Sequence, residues 1–291
     1  MAFMVKRAVI FALSVATLIS PALAQETLYV ATGSKGAAGV LYTVDPLTAA
    51  FTMVAPITTG AGAIGLTGLA FDPLNGVLYG ITGLESANSP RTLVTINPAT
   101  GAATVIGTLT DPFFGTVGLT DISFRSDGTL FGSDNRLFTI NLATGGLTLI
   151  GSTGPNLGGG LAFNSSGTLY AARAATGSLD TLNPATGARA VGPTMTGAPN
   201  AGSGAVMNAL AFNSANVLYG SNSDRAGVVG GSTAVNLVTI NTGTGVVSDI
   251  GVLPGNVDAL AFGPAVPEPS SIALLGVGAV IAGFLRRRAR R

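Results

Sequence analysis

Cysteine, histidine and tryptophan are all missing from the 291 residues. Without cysteine the chain forms no disulfide and carries no thiol chemistry. Without histidine it has no imidazole base, no histidine metal ligand and no Ser-His-Asp triad. Charge is also scarce, with 14 Lys and Arg against 13 Asp and Glu. The near balance hides an uneven spread. Residues 25–265 hold seven basic and twelve acidic side chains, about −5 net, while Lys6 and Arg7 mark one end and five arginines the other. A mildly acidic body has no electrostatic footprint for nucleic acid. Motifs for phosphate cradles, dinucleotides, zinc hydrolysis and Cys-x-x-Cys sites are missing too, so no cofactor is implied.

What is present is apolar and small. Gly reaches 42 residues, and the apolar content is carried by Ala, Gly, Val and Leu rather than by aromatics. Low charge with abundant aliphatics is the opposite of a disordered composition. Residues 1–24 read as a secretory signal peptide: Lys6 and Arg7, an apolar stretch Ala8–Ile19, then Ala22-Leu23-Ala24 as a cleavage box, with cleavage between Ala24 and Gln25. An uncleaved N-terminal anchor is the alternative. At the other end, Ile272–Leu285 is 14 apolar or small residues, 16 counted from Ser270. A full membrane span needs about 20, and a buried helix is the alternative. The cluster Arg286, Arg287, Arg288, Arg290 and Arg291 favours a transmembrane segment over 270–285 with its arginines cytoplasmic. That orientation agrees with the signal peptide.

Pro267-Glu268-Pro269, then Ser270-Ser271, a Gly- and Ala-interrupted apolar run and the arginines resemble the PEP-CTERM sorting signal of Gram-negative bacteria over residues 266–291. The resemblance implies export by the secretion machinery, a transient stay in the inner membrane with the body periplasmic, processing by an exosortase-type enzyme, and delivery to the cell surface or matrix. It makes Pro267, Glu268 and Pro269 a recognition motif. The prolines would keep that segment extended and outside any helix that follows.

Between the ends the chain repeats. "GLAF" at 68–71, "DISF" at 121–124, "GLAF" at 160–163 and "ALAF" at 209–212 and 259–262 recur at intervals of 39 to 53 residues. Six or seven residues after the first four of these Phe comes Leu-Tyr or Leu-Phe, then "TINPATG", "TINLATG", "TLNPATG" or "TINTGTG", then another short strand. Asn/Asp/Ser/Gly turns such as "DPLNG", "RSDG" and "NSSG" separate the strands. Four short strands at this period are a propeller blade. The body opens on "TLYVATG", a second strand with no first, and closes on "DALAFGP", a first strand with no second. Joined, they complete one blade. The expected fold is an all-β, five-bladed β-propeller of four-stranded blades, its first blade closed by the C-terminal strand, with signal and transmembrane helices outside it. A different all-β repeat and a pair of sandwiches are the alternatives. Gly68, Gly160, Ala209 and Ala259 would suit inner strands crowded at the axis, with the Leu and Phe that alternate with them packing between blades.

The residues two before each Leu-Ala-Phe are Thr67, Thr120, Gly159, Asn208 and Asp258, with Asp121 one later in its repeat. Asp121 and Asp258 are the only carboxylates of this ring. Paired acids about 5–10 Å apart perform glycoside hydrolysis, which makes these two the candidate catalytic or cation-binding residues. The plainer alternative is that they cap strand ends. Asp127 and Asp134 are spaced too widely for a calcium loop, and Asp127-Gly128 makes a hairpin turn by itself. The loops 82–92, with Arg91, and 223–235, with Arg225, differ between repeats and are candidate contact surfaces. The sequence thus points to an exported surface or matrix protein whose propeller binds a polysaccharide or matrix protein. An extracellular hydrolase or lyase acting on glycan or ester, and a periplasmic assembly component, are the alternatives.

Overall fold

Five antiparallel four-stranded sheets follow one another around an axis. The computed structural model describes residues 26–33, 38–154, 159–174, 176–200, 206–223 and 234–264. From the inside outward, blade 1 is Val257–Phe262, Leu28–Thr32, Val40–Val44 and Phe51–Pro56. Blade 2 is Leu66–Phe71, Leu78–Thr82, Thr92–Ile96 and Ala103–Thr108. Blade 3 is Asp121–Phe124, Leu130–Ser133, Arg136–Ile140 and Leu147–Ser152. Blade 4 is Leu161–Phe163, Leu169–Ala172, Leu179–Leu182 and Arg189–Ala190, and blade 5 is Val206–Phe212, Leu218–Ser223, Val235–Ile240 and Val247–Leu253. Each inner strand carries the Leu-Ala-Phe motif or its Asp-Ile-Ser-Phe variant.

The ring closes as the repeat register requires. Leu28 pairs with Phe262, Tyr29 with Ala261, Val30 with Leu260 and Ala31 with Ala259. The last strand thereby covers what would be an open edge on the first. The signal segment 1–24, the Ala24–Gln25 cleavage site, the Pro267–Pro269 motif, the 270–285 segment and the terminal arginines lie outside the described residues. So do Arg225 and positions 224–233 of the 223–235 loop. Among the described residues no helix is long and apolar enough to cross a membrane.

One aromatic pair fastens each blade to the next. Tyr29 meets Phe71, Tyr79 meets Phe124, Phe131 meets Phe163, Tyr170 meets Phe212 and Tyr219 meets Phe262, with centroids 5.0 to 5.5 Å apart. Each pair joins the aromatic of one second strand to the Phe that ends the neighbouring inner strand. Tilted and edge-on arrangements place the positive ring edge near a negative face. The Leu-Tyr spacing of the repeat therefore encodes the blade interface.

The outer seam uses a different device. The outer strands of blades 1, 2, 3 and 5 each slip register at one residue, where Val54, Ile106, Ile150 and Ile250 are skipped in the pairing. The bulge turns these branched side chains onto the interblade cores. In blades 2, 3 and 5 the next residue is Gly107, Gly151 or Gly251. That glycine presses on the "ATG"-type turn of the following blade: a Cβ on Gly107 would lie 2.1 Å from the Thr144 carbonyl oxygen, and one on Gly151 2.1 Å from that of Thr186.

The connections divide by face. First-to-second and third-to-fourth strand turns are tight and lie on one face, which also carries the chain's entry at Glu26 and exit at Pro264. Second-to-third strand loops and the links between blades lie on the other. The hairpins Thr58–Thr59/Gly62–Ala63 and Thr110–Asp111/Gly115–Thr116 belong to those links.

Candidate functional site

Asp121 occupies the position that is Gly68, Gly160, Ala209 and Ala259 in the other inner strands. Four small residues leave a hole at the axis, and the one carboxylate fills it. Its Oδ1 accepts from the Ile122 N–H at 2.8 Å, and its Oδ2 from the Leu161 N–H at 2.8 Å and the Leu210 N–H at 3.3 Å. Those donors belong to blades 3, 4 and 5. On the remaining side the fit to blade 2 is tight, because a Cβ on Gly68 would stand 3.0 Å from Oδ1. The carboxyl is wholly buried. The repeat pattern alone places Asp121 at a channel mouth or on a strand-end turn. It instead bonds inner-strand amides across the axis, since the neighbouring glycines let those strands approach closely enough to share one side chain.

Burial raises the Asp121 pKa well above the ordinary aspartate value, and this outweighs the three N–H donors that pull it down. A raised native pKa means the folded protein holds a proton where the unfolded chain has released it. Stability is then fullest below the ordinary value near 4 and declines as pH rises through the raised one. Urea midpoints of the wild type should fall over that window relative to those of Asp121→Asn. Parallel pH curves for the two proteins would contradict this.

Asp258 does not share that environment. It stands half-buried at the start of the blade 1 inner strand, in the bulge between the Ala31–Ala259 and Thr32–Val257 pairs. Thr67 and Asn208 occupy matching bulges. The residues two before Leu-Ala-Phe form clasps between blades: Thr67 Oγ1 donates to the Leu119 carbonyl at 3.2 Å, Thr120 Oγ1 to that of Gly159 at 3.2 Å, and Asn208 Nδ2 to that of Val257 at 3.5 Å. Gly159 has no side chain to offer. The bulge aims Thr67 and Asn208 sideways at the next blade, and Thr120 makes its clasp just before its strand begins.

Asp127 and Asp134 each have an arginine. Arg125 Nη2 donates to Asp127 at 2.6 Å, and this guanidinium holds the Asp127 carboxyl far below its usual range. Arg136 forks onto Asp134 and lies 4.1 Å over the Phe114 ring. No cluster of three acidic side chains capable of holding a metal occurs among the described residues. The 82–92 loop is tied down: Ser86 Oγ accepts from the Gly65 N–H at 3.1 Å, Asn88 Nδ2 donates to the Ala63 carbonyl at 2.9 Å, and Arg91 Nη1 to that of Thr116 at 3.4 Å. Beside it the Thr110–Thr116 hairpin holds Phe113 at 89 % exposure, its turn set by Asp111 accepting from the Phe113 and Phe114 N–H groups.

Sequence reasoning missed a funnel on the opposite face, around the axis where the inner strands end. It encloses about 280 Å3. All five Leu-Ala-Phe-type phenylalanines, Phe71, Phe124, Phe163, Phe212 and Phe262, line it, one from each blade. The rim carries Ser126, Asn164, Ser165, Asn213, Ser214 and Glu26. The signal was the hydroxyl- and amide-rich turn after each inner Phe, which reads equally well as a hairpin.

The fold has counterparts. A chain of a nidogen/laminin complex matches with a TM-score of 0.50 at 13 % identity, over 83 % of this chain and 99 % of that one. A symmetrical protein whose de novo evolutionary emergence is shaped by folding constraints matches with a TM-score of 0.49 at 18 % identity, over 81 % and 98 %. No curated protein matches the chain. Residues 265–291 match the model of the PEP-CTERM protein-sorting motif. The chain thus joins a five-bladed propeller to a PEP-CTERM sorting motif.

Proposed function

We propose that this is an exported surface or matrix protein whose propeller is an interaction scaffold rather than a catalyst. The observation that carries the reading is the PEP-CTERM match at 265–291, immediately after a ring that closes at Phe262. In this reading residues 1–24 direct export and are cleaved between Ala24 and Gln25. Residues 25–265 form the periplasmic body, and 266–291 hold it transiently in the inner membrane through 270–285, with the five arginines cytoplasmic. An exosortase-type enzyme reads Pro267, Glu268 and Pro269 and releases the body to the surface. Partners, a polysaccharide or a matrix protein, meet the face built from the longer loops, where Leu84, Phe113 and Phe114 are exposed. Engagement of both Asp121 oxygens by backbone amides supports the non-catalytic reading over hydrolysis by Asp121 and Asp258.

Fractionation of cells expressing the full chain, with and without Pro267–Pro269, tests it. The intact protein should reach the surface or medium, and the deletion variant should stay with the inner membrane. Equal delivery of both would overturn the sorting assignment.

A further inference from the structure

We infer that the axial funnel is a binding site for one ring of a neutral sugar, at the free end of a glycan. Four observations select that ligand. The volume, about 280 Å3, lies near the lower end for small-molecule pockets and suits a single pyranose. The five phenylalanines line the wall with Ala70, Ala162, Ala211 and Ala261 between them, so apolar carbon is offered to the C–H face of a sugar ring. Among the described residues no Lys or Arg lines the funnel, and the one carboxylate there, Glu26, accepts from the Ser214 N–H at 2.8 Å. An anionic ligand would find no counter-charge there, and a cation only a carboxylate already in use.

The rim supplies donors with capacity to spare. Asn164 Oδ1 is held by the Ser166 and Thr168 N–H groups at 3.1 and 2.8 Å, and Asn213 Oδ1 by the Val217 N–H at 2.8 Å. With each oxygen fixed in its turn, the amide N–H2 is the end left for hydroxyl oxygens. Ser126 and Ser165 add hydroxyls that donate and accept. An apolar wall under a few fixed polar groups is the usual construction of a specific small-ligand site. Hydrogen bonds already hold these turns in place, which limits the ordering cost of binding. This site lies on the face opposite the longer loops, and it stands or falls separately from the sorting experiment.

Saturation-transfer NMR on the full chain, with the methyl glycosides of glucose, galactose, mannose and N-acetylglucosamine as probes, provides the test. At least one should bind saturably. Ser126→Trp, a change at an exposed rim position, should weaken it tenfold or more without moving the melting temperature. The pair Asn164→Asp and Asn213→Asp keeps both turn acceptors and removes the N–H2 donors, and should weaken it similarly. Failure of all four glycosides to bind overturns the proposal. So does binding that neither variant alters, or binding of hexanol with none of the glycosides.

Discussion

Asp121→Ala should lower the stability of the propeller by about 3 kcal/mol or more, the cost of leaving buried backbone N–H groups without acceptors. Three are at stake, those of Ile122, Leu161 and Leu210, on three different blades. Since the side chain is wholly buried, bulk water does not simply replace it. Asp121→Asn should cost less, about 2 kcal/mol, because one oxygen still accepts while the amide N–H2 faces donors it cannot satisfy. Urea denaturation measures both. A variant within about 0.5 kcal/mol of wild type, the range of an inert surface change, would show that the axis does not depend on this carboxyl. The same proteins speak to function. A catalytic acid would lose turnover in Asp121→Asn with its fold intact; a structural one loses stability first.

The role of Asp121 was half-legible. The repeat alignment set "DISF" against "GLAF" and "ALAF", so an acid stood where the other blades have a small residue. What the pattern could not supply was the distance across the axis, which depends on how closely five strands converge. Gly160 sets that distance on one side, since a Cβ there would meet the Ala209 carbonyl carbon and the Leu210 nitrogen at 2.4 Å. The blade count and closure were easier. Each strand carries its own alternation, and the two orphan segments at the ends of the body complement one another. The packing of each inner-strand Phe between blades followed from its alternation with small residues, whereas its pairing with the second-strand aromatic of the preceding blade did not. The outer strands were harder, because a bulge breaks the period of two: Leu149 is exposed and Ile150 packs inward, the reverse of simple alternation from Leu147. The funnel was invisible because its rim is made of ordinary hairpin turns whose convergence is a property of the ring.

Those bulges lead to the second large expectation. Gly151 is not required by its own backbone angles, since it is absent from the residues with positive φ. It is required by the neighbour: the Cβ of any other residue would stand 2.1 Å from the Thr186 carbonyl oxygen and 3.0 Å from its carbon. Both are backbone atoms, in a turn whose Gly187 has φ 71° and itself lies against Gly151. Neither side can yield by changing a rotamer, so Gly151→Val must part blade 3 from blade 4. We expect a loss of about 3 kcal/mol or more, at or above the upper range for overpacking a well-filled core. Gly167→Ala is the matched contrast. Its φ of 81° makes an alanine strained, yet nothing lies within 4 Å of the new Cβ. That variant should pay only the left-handed backbone cost of about 1–2 kcal/mol. Denaturation of the two variants side by side separates contact from conformation. Equal losses would mean that the seam is soft and that the blades are held together by their aromatic pairs alone.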